Sequence, residues 1–73
     1  MIMRQKIRLD TMSDINKFIQ TVSRVDHKVF LEDNTGYRVS AHSLLGALLS
    51  MEWEDVYVSC DKDISGLILK WIV

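Results

Sequence analysis

Few side chains in this sequence are of the types that commonly carry chemistry, and they stand far apart along the chain. There are two histidines, His27 and His42, and a single cysteine, Cys60. One cysteine excludes an internal disulfide and cannot supply the thiolate set of a zinc site. The acidic residues between positions 52 and 63 lack the spacing of a calcium-binding loop, and no Gly-rich phosphate loop or Ser-His-Asp arrangement can be drawn. We therefore expect no cofactor and no bound metal.

The elements that position these side chains must fit into one domain. At 73 residues the chain can bury a single core, which predicts one domain over residues 1–73. The formal net charge of −1 gives no general attraction to nucleic acid or to an anionic membrane. No apolar run approaches the ~20 residues that cross a bilayer, and charges interrupt the N-terminus where a signal peptide is apolar. We expect a cytoplasmic protein that binds neither nucleic acid nor membrane.

The first two elements have clear periodicities. Apolar and charged residues alternate from Met3 to Leu9, which predicts a half-buried strand. Its outward side chains would form a basic stripe of Arg4, Lys6 and Arg8. Capping residues at 11–14 then precede apolar residues at i, i+3, i+4 and i+7, namely Ile15, Phe18, Ile19 and Val22. This spacing predicts an amphipathic helix.

The rest of the chain shows the patterns of further strands and helices. Residues 28–32 and 37–40 are short β-prone runs joined by Asp33-Asn34-Thr35-Gly36, which predicts a hairpin. Ser43 can cap a helix from Leu44 to about Met51, and residues 55–60 alternate as a strand does. A final helix is predicted from the stripe Ile64, Leu67, Ile68, Trp71 and Ile72.

The order βαββαβα favours an α+β domain in the form of an open-faced sandwich. Such a domain has an antiparallel four-stranded sheet, which three helices cover on one face. The opposite face meets solvent, in agreement with the outward basic residues of the first strand. We expect one core between helices and sheet, built from Phe18, Ile19, Val58, Leu67, Ile68 and Trp71.

One segment resembles a known family. From Tyr37 to Gly46 the chain reads as a strand, then Ala41-His42-Ser43, two leucines and glycine. This is similar to the third strand and second-helix start of the histidine-containing phosphocarrier family, HPr, where the pattern is Ala-Lys-Ser, two large apolar residues and Gly. The element order and the Phe30-Leu31-Glu32 strand are also similar. The resemblance implies an HPr-like fold, while a ferredoxin-like βαββαβ module stays open as an alternative.

The resemblance also implies where a phosphocarrier site would lie. The family carries its phosphoryl group on a histidine at the start of the first helix, near an arginine and a proline. Alignment on the Phe30 strand places Thr11, Ser13 and Asp14 at those three positions. Without the histidine and the arginine, we expect a degenerate site that carries no phosphoryl group, so the protein is not predicted to be an enzyme. The alternative is a weak phosphocarrier that uses His42.

Two features of the second helix remain as candidates for function. Ser43 matches the serine that a dedicated kinase phosphorylates in some members of the family, although an N-cap role alone would explain a serine there. Leu44, Leu45 and Leu48 match residues that contact partner proteins, although neighbouring elements could cover them instead. The resemblance therefore implies a regulatory, protein-binding module of the sugar-phosphotransferase or carbon-regulation type. Its partners would be phosphotransferase components, an HPr kinase or a transcription regulator.

The outward residues of the open sheet face suggest a third function. Its basic stripe, together with Tyr57, loosely resembles the basic, aromatic sheet of an RNA reader or of another ligand-binding module. A solvated strand face is the simpler explanation of the same residues.

Overall fold

The computed structural model describes residues 3–73, which form a βαββαβ fold around one cluster of buried apolar side chains. The regular elements are β1 (Met3–Ile7), α1 (Met12–Val22), β2 (Val29–Glu32), β3 (Arg38–Ser40), α2 (Leu44–Ser50) and β4 (Val56–Cys60). The α+β class and the four-stranded antiparallel sheet are confirmed. Two helices are present in this range where three were predicted.

The sheet has the strand order β1-β4-β2-β3, and all its pairs are antiparallel. At the centre of β4, Val58 lies between Gln5 of β1 and Leu31 of β2. Because side chains alternate along a strand, one face carries buried apolar residues: Met3, Ile7, Val29, Leu31, Val58 and Cys60. The helices cover this face, and the other face stays open.

Helix α1 forms where the apolar stripe predicted it. Ile15, Phe18 and Val22 are buried, and Ile19 is partly buried against the same core. The ring of Phe18 contacts Trp71 edge-on, with centroids 5.4 Å apart. This contact ties the first helix to the end of the chain.

Helix α2 approaches the hairpin closely because its first turn contains glycine. A Cβ atom on Gly46 would lie 2.8 Å from the backbone oxygen of Ser40 and 3.3 Å from Val39. The helix buries Ala47 and Ser50 on its inner side. Its leucines are left to the sides and to the outside.

The predicted third helix is wrong. Two short 3-10 turns, Ser65–Leu67 and Leu69–Trp71, replace it. Ile64, Ile68 and Trp71 are buried, as the stripe required, but Leu67 is 55% exposed and is not a core residue.

Backbone pairing with the edge strand β1 prevents the chain after Ile68 from forming an α-helix. Ile72 forms an antiparallel bridge with Ile7, and the Arg8 N–H donates to the carbonyl of Trp71. An α-helix would leave the outer backbone groups of β1 without these partners.

Candidate functional site

The residues at the start of α1 form a tight capping arrangement. Thr11 Oγ1 accepts a hydrogen bond from the Asp14 N–H at 3.1 Å, and Asp14 Oδ2 accepts one from the Asp10 N–H at 3.2 Å. Burial acts to raise the pKa of Asp14, but the hydrogen bonds from Asp10 and Thr11 outweigh it and lower the pKa overall. Asp14 is therefore a carboxylate at neutral pH, placed where the resemblance would put a proline.

This geometry sets the chemistry of the position where the resemblance would put a phosphocarrier histidine. Thr11, Ser13 and Asp14 lie together, as predicted, on the first turn of α1. Thr11 Oγ1 already accepts a hydrogen bond from one helix-terminal amide, that of Asp14, and the Asp14 carboxylate adds a negative charge that disfavours an anion. Ser13 is exposed.

Ser43 caps α2, as predicted. Its Oγ accepts a hydrogen bond from the Gly46 N–H at 3.2 Å, and its backbone is extended as an N-cap requires. The residue is half-buried, so the hydroxyl lies at the surface of the molecule rather than inside it.

The leucines of α2 form an exposed apolar surface, which we call the α2 patch: Leu44, Leu45, Leu48 and Leu49. Leu45 is 79% exposed, Leu44 is 48% exposed and Leu49 is 43% exposed. Leu48 is half-buried. Neighbouring elements thus leave most of this surface uncovered.

The hairpin loop extends this region with aromatic side chains. Tyr37, which is 56% exposed, packs edge-on against Trp53 with ring centroids 6.0 Å apart. Trp53 follows the end of α2 and is half-buried. The sequence did not indicate this contact, because it joins the hairpin loop to a residue 16 positions later.

The two histidines lie next to each other. His42 Nε2 is 3.3 Å from the backbone oxygen of His27, and His27 Nδ1 is 2.9 Å from Asp61 Oδ1. His27 precedes β2 and His42 follows β3, so both lie at the end of the sheet where Val29 pairs with Cys60. Helix α1 begins at the opposite end, next to Ile7. The structure therefore places His42 beside His27 and not beside the degenerate site.

The open sheet face carries a charged and aromatic cluster, of which the sequence indicated Arg4 and Tyr57 but not the central Glu32. At its centre Glu32 is 6% exposed, and its two carboxylate oxygens accept hydrogen bonds from Arg4 Nε at 3.1 Å and Arg38 Nη2 at 2.8 Å. The guanidinium of Arg4 lies 3.8 Å from the ring centroid of Tyr57, and that of Arg38 lies 4.6 Å from the centroid of Phe30.

These neighbours keep Glu32 ionised. The Ser59 hydroxyl lies beside the carboxylate and lowers its pKa most, and the two arginines lower it further against the opposing effect of burial. The Ser59 Oγ itself is buried and makes no hydrogen bond of good geometry to residues 3–73. The alternation of side chains along both hairpin strands is enough to place Phe30, Glu32 and Arg38 on one face of the sheet. Only the strand register shows that Arg4 lies within reach of Glu32.

The described residues meet neither the requirements of a metal site nor those of a membrane-spanning helix. Within residues 3–73, no group of three or more His, Cys, Asp or Glu side chains is arranged to hold a metal ion. No helix in this range is long and apolar enough to span a membrane.

Comparisons with known proteins add no identification. No protein-family model, curated protein or solved structure matches this chain.

Proposed function

We propose that this protein is an HPr-like binding module of the sugar-phosphotransferase or carbon-regulation type, which acts by contacting other proteins and carries no phosphoryl group. The observation that supports it is the exposure of the α2 patch. Leu45 is 79% exposed, two positions after the capping residue Ser43. Large apolar side chains that stand together on a surface are typical of places where another protein docks.

The start of α1 supports the absence of phosphoryl transfer. A phosphocarrier of the histidine type needs a nucleophilic ring nitrogen and unpaired donors that stabilise the added charge. Thr11 and Asp14 supply a cap and a carboxylate instead. His42 is not assigned the role either, because its ring lies against the His27 carbonyl at the other end of the sheet.

Ser43 provides a means of regulation at the edge of the α2 patch. A phosphate on its oxygen would add a charge of about −1.5 to −2 next to Leu44 and Leu45. An apolar partner surface would then be repelled, whereas a basic one would be attracted. Charge at this edge can therefore select among partners without a change of fold.

The test is a titration of isotopically labelled protein with purified enzyme I and, separately, purified HPr kinase, followed by amide chemical shifts. We expect the shifts to concentrate on α2 and on the residues around Trp53. Leu45→Asp should weaken binding at least roughly tenfold, because it places a charge in the apolar contact. Leu69→Asp is the matched control, since Leu69 is 67% exposed but lies outside α2.

Both variants must first be shown to fold, by unfolding in urea. Exposed substitutions of this kind change stability by about 0.5 kcal/mol or less. A folded Leu45→Asp protein that binds as tightly as the wild type would refute the α2 patch as the docking surface. Equal loss of binding in the Leu69→Asp protein would refute it as well.

A further inference from the structure

A second surface lies on the open sheet face, away from α2. A cavity of about 300 Å³ opens there between β2, β3 and β4. It is lined by Lys28, Phe30, Arg38, Ser59, Cys60 and Asp61. Small-molecule sites usually have volumes of about 300–1,000 Å³, so this one is at the lower limit and suits a ligand of one or two rings.

The floor of the cavity is formed by Ser59, which is 1% exposed. Its hydroxyl lies beside the Glu32 carboxylate and lowers the pKa of that group. A ligand therefore finds no free donor on the floor, and the side chains of the walls must provide the recognition.

The walls supply positive charge beside an aromatic ring. Lys28 is exposed and forms no ion pair with any residue from 3 to 73. Arg38 is held by Glu32 on one side and lies over the ring of Phe30, yet half of its side chain remains exposed. An anionic group can therefore approach two cations, while a planar group can stack on the Phe30 ring or on the guanidinium.

The acidic rim limits the charge of the ligand. Asp61 lines the cavity and forms a contact of 2.9 Å with His27. Glu32 adds a second carboxylate below Arg38. A chain of phosphates, as in single-stranded RNA, would meet both carboxylates, whereas a ligand with one anionic group can keep that group beside Lys28.

We propose that this cavity binds a small planar ligand that carries one anionic group, either a carboxylate or a phosphate. In this arrangement the anionic group lies between Lys28 and Arg38, and the ring lies against Phe30. The site is independent of the α2 patch and of the function proposed for it.

The experiment is a titration of the full chain with defined probes, followed by amide chemical shifts. The probes are adenosine 5′-monophosphate, benzoate, adenosine and a uridylate decamer. We expect adenosine 5′-monophosphate or benzoate to shift residues of the cavity at roughly millimolar concentration, and adenosine to do so only more weakly. Which of the two anions binds distinguishes a phosphate ligand from a carboxylate ligand.

Two variants test the assigned contacts. Lys28→Ala and Phe30→Leu should each weaken binding of the anionic probe by roughly tenfold, because they remove the cation and the aromatic ring. Urea unfolding first checks that both variants fold. Lys17→Ala, an exposed lysine on α1, is the control and should not change binding.

Several outcomes would overturn the proposal. One is the absence of shifts in the cavity with both anions; another is equal binding of neutral adenosine. Unchanged affinity in both Lys28→Ala and Phe30→Leu would contradict the contacts assigned to the ligand. Tighter binding of the uridylate decamer than of either small anion would replace the proposal with a nucleic-acid surface.

Discussion

The surroundings of Glu32 differ strongly from those of a free glutamate in water. It is nearly buried, it accepts hydrogen bonds from two arginines, and the Ser59 hydroxyl lies beside it. Its pKa is lowered from an ordinary value of 4.5. A carboxyl with a lowered pKa stabilises the folded state above its unfolded pKa, and this contribution is lost as the pH falls through the folded pKa.

We predict that Glu32→Gln lowers the free energy of unfolding at pH 7 by roughly 1–3 kcal/mol, because two arginines lose their charged partner. The arginines are partly exposed, which keeps the loss below that of a fully buried pair. Urea unfolding at pH 7 and pH 3 measures it.

The difference between wild type and variant should shrink as the pH falls from 7 to 3, because the unfolded chain takes up a proton at Glu32 before the folded protein does. Glu52→Gln, an exposed carboxyl, is the control. A difference that is the same at both pH values would contradict the assignment. The wild type should still lose stability in acid for other reasons, since hydrogen bonds from Thr35 and from the Ser65 backbone lower the pKa values of Asp33 and Asp63.

Ser43 and Glu32 show which site residues the sequence can predict. The Ser43 cap was predictable because its partner, Gly46, is three residues away and the capping geometry is local. The pairing of Glu32 with Arg4 joins residues 28 positions apart. It depends on β4 lying between β1 and β2, which no local pattern specifies.

At the scale of elements, local periodicity succeeded for α1 and failed for the end of the chain. The stripe of α1 coincides with a helix that buries Ile15, Phe18 and Val22. The stripe from Ile64 to Ile72 has buried residues at helical spacing, yet the backbone there bonds to β1. Backbone hydrogen bonding to the edge of β1 therefore determines the conformation here more strongly than the local pattern does. Gly66 adds to this effect, because glycine has a low helix propensity.

The approach of α2 to the hairpin gives a prediction at this scale. Gly46→Ala should destabilise the protein by about 1–3 kcal/mol, because its Cβ would lie 2.8 Å from the Ser40 oxygen. This cost should exceed the gain of up to ~1 kcal/mol that alanine gives in a helix. Thermal unfolding measures the difference.

Gly66→Ala is the matched control, because no atom lies within 4 Å of its added Cβ. We expect it to be neutral or slightly stabilising. Equal melting temperatures for the two variants would mean that α2 lies farther from β3 than described.

For the whole molecule, stability depends on one core between helices and sheet. Phe18 is fully buried and contacts Trp71, so it joins α1 to the chain end. We predict that Phe18→Ala lowers the free energy of unfolding by ~3–5 kcal/mol, a large part of the ~5–15 kcal/mol of such domains. Urea unfolding is the measurement, and a loss below about 1 kcal/mol would contradict the docking of α1.

Phosphoryl transfer is also a property of the whole molecule. After incubation with phosphoenolpyruvate and enzyme I, we expect an unchanged mass, because Thr11 and Ser13 stand where the resemblance would put the accepting histidine and the stabilising arginine. An authentic HPr in the same reaction is the positive control. An acid-labile phosphate that disappears in the His42→Ala variant would instead support the weak phosphocarrier.

The pairing of Ile72 with Ile7 also bears on self-association. An uncovered strand edge can recruit the edge of another molecule and begin a fibril. Here the chain end occupies part of the outer edge of β1, and the opposite edge strand, β3, is three residues long and carries the charge of Arg38. Both edges are thus poor templates for growth. Removal of residues 72–73 should leave the Phe18 core in place but shorten the lag before aggregation on prolonged incubation.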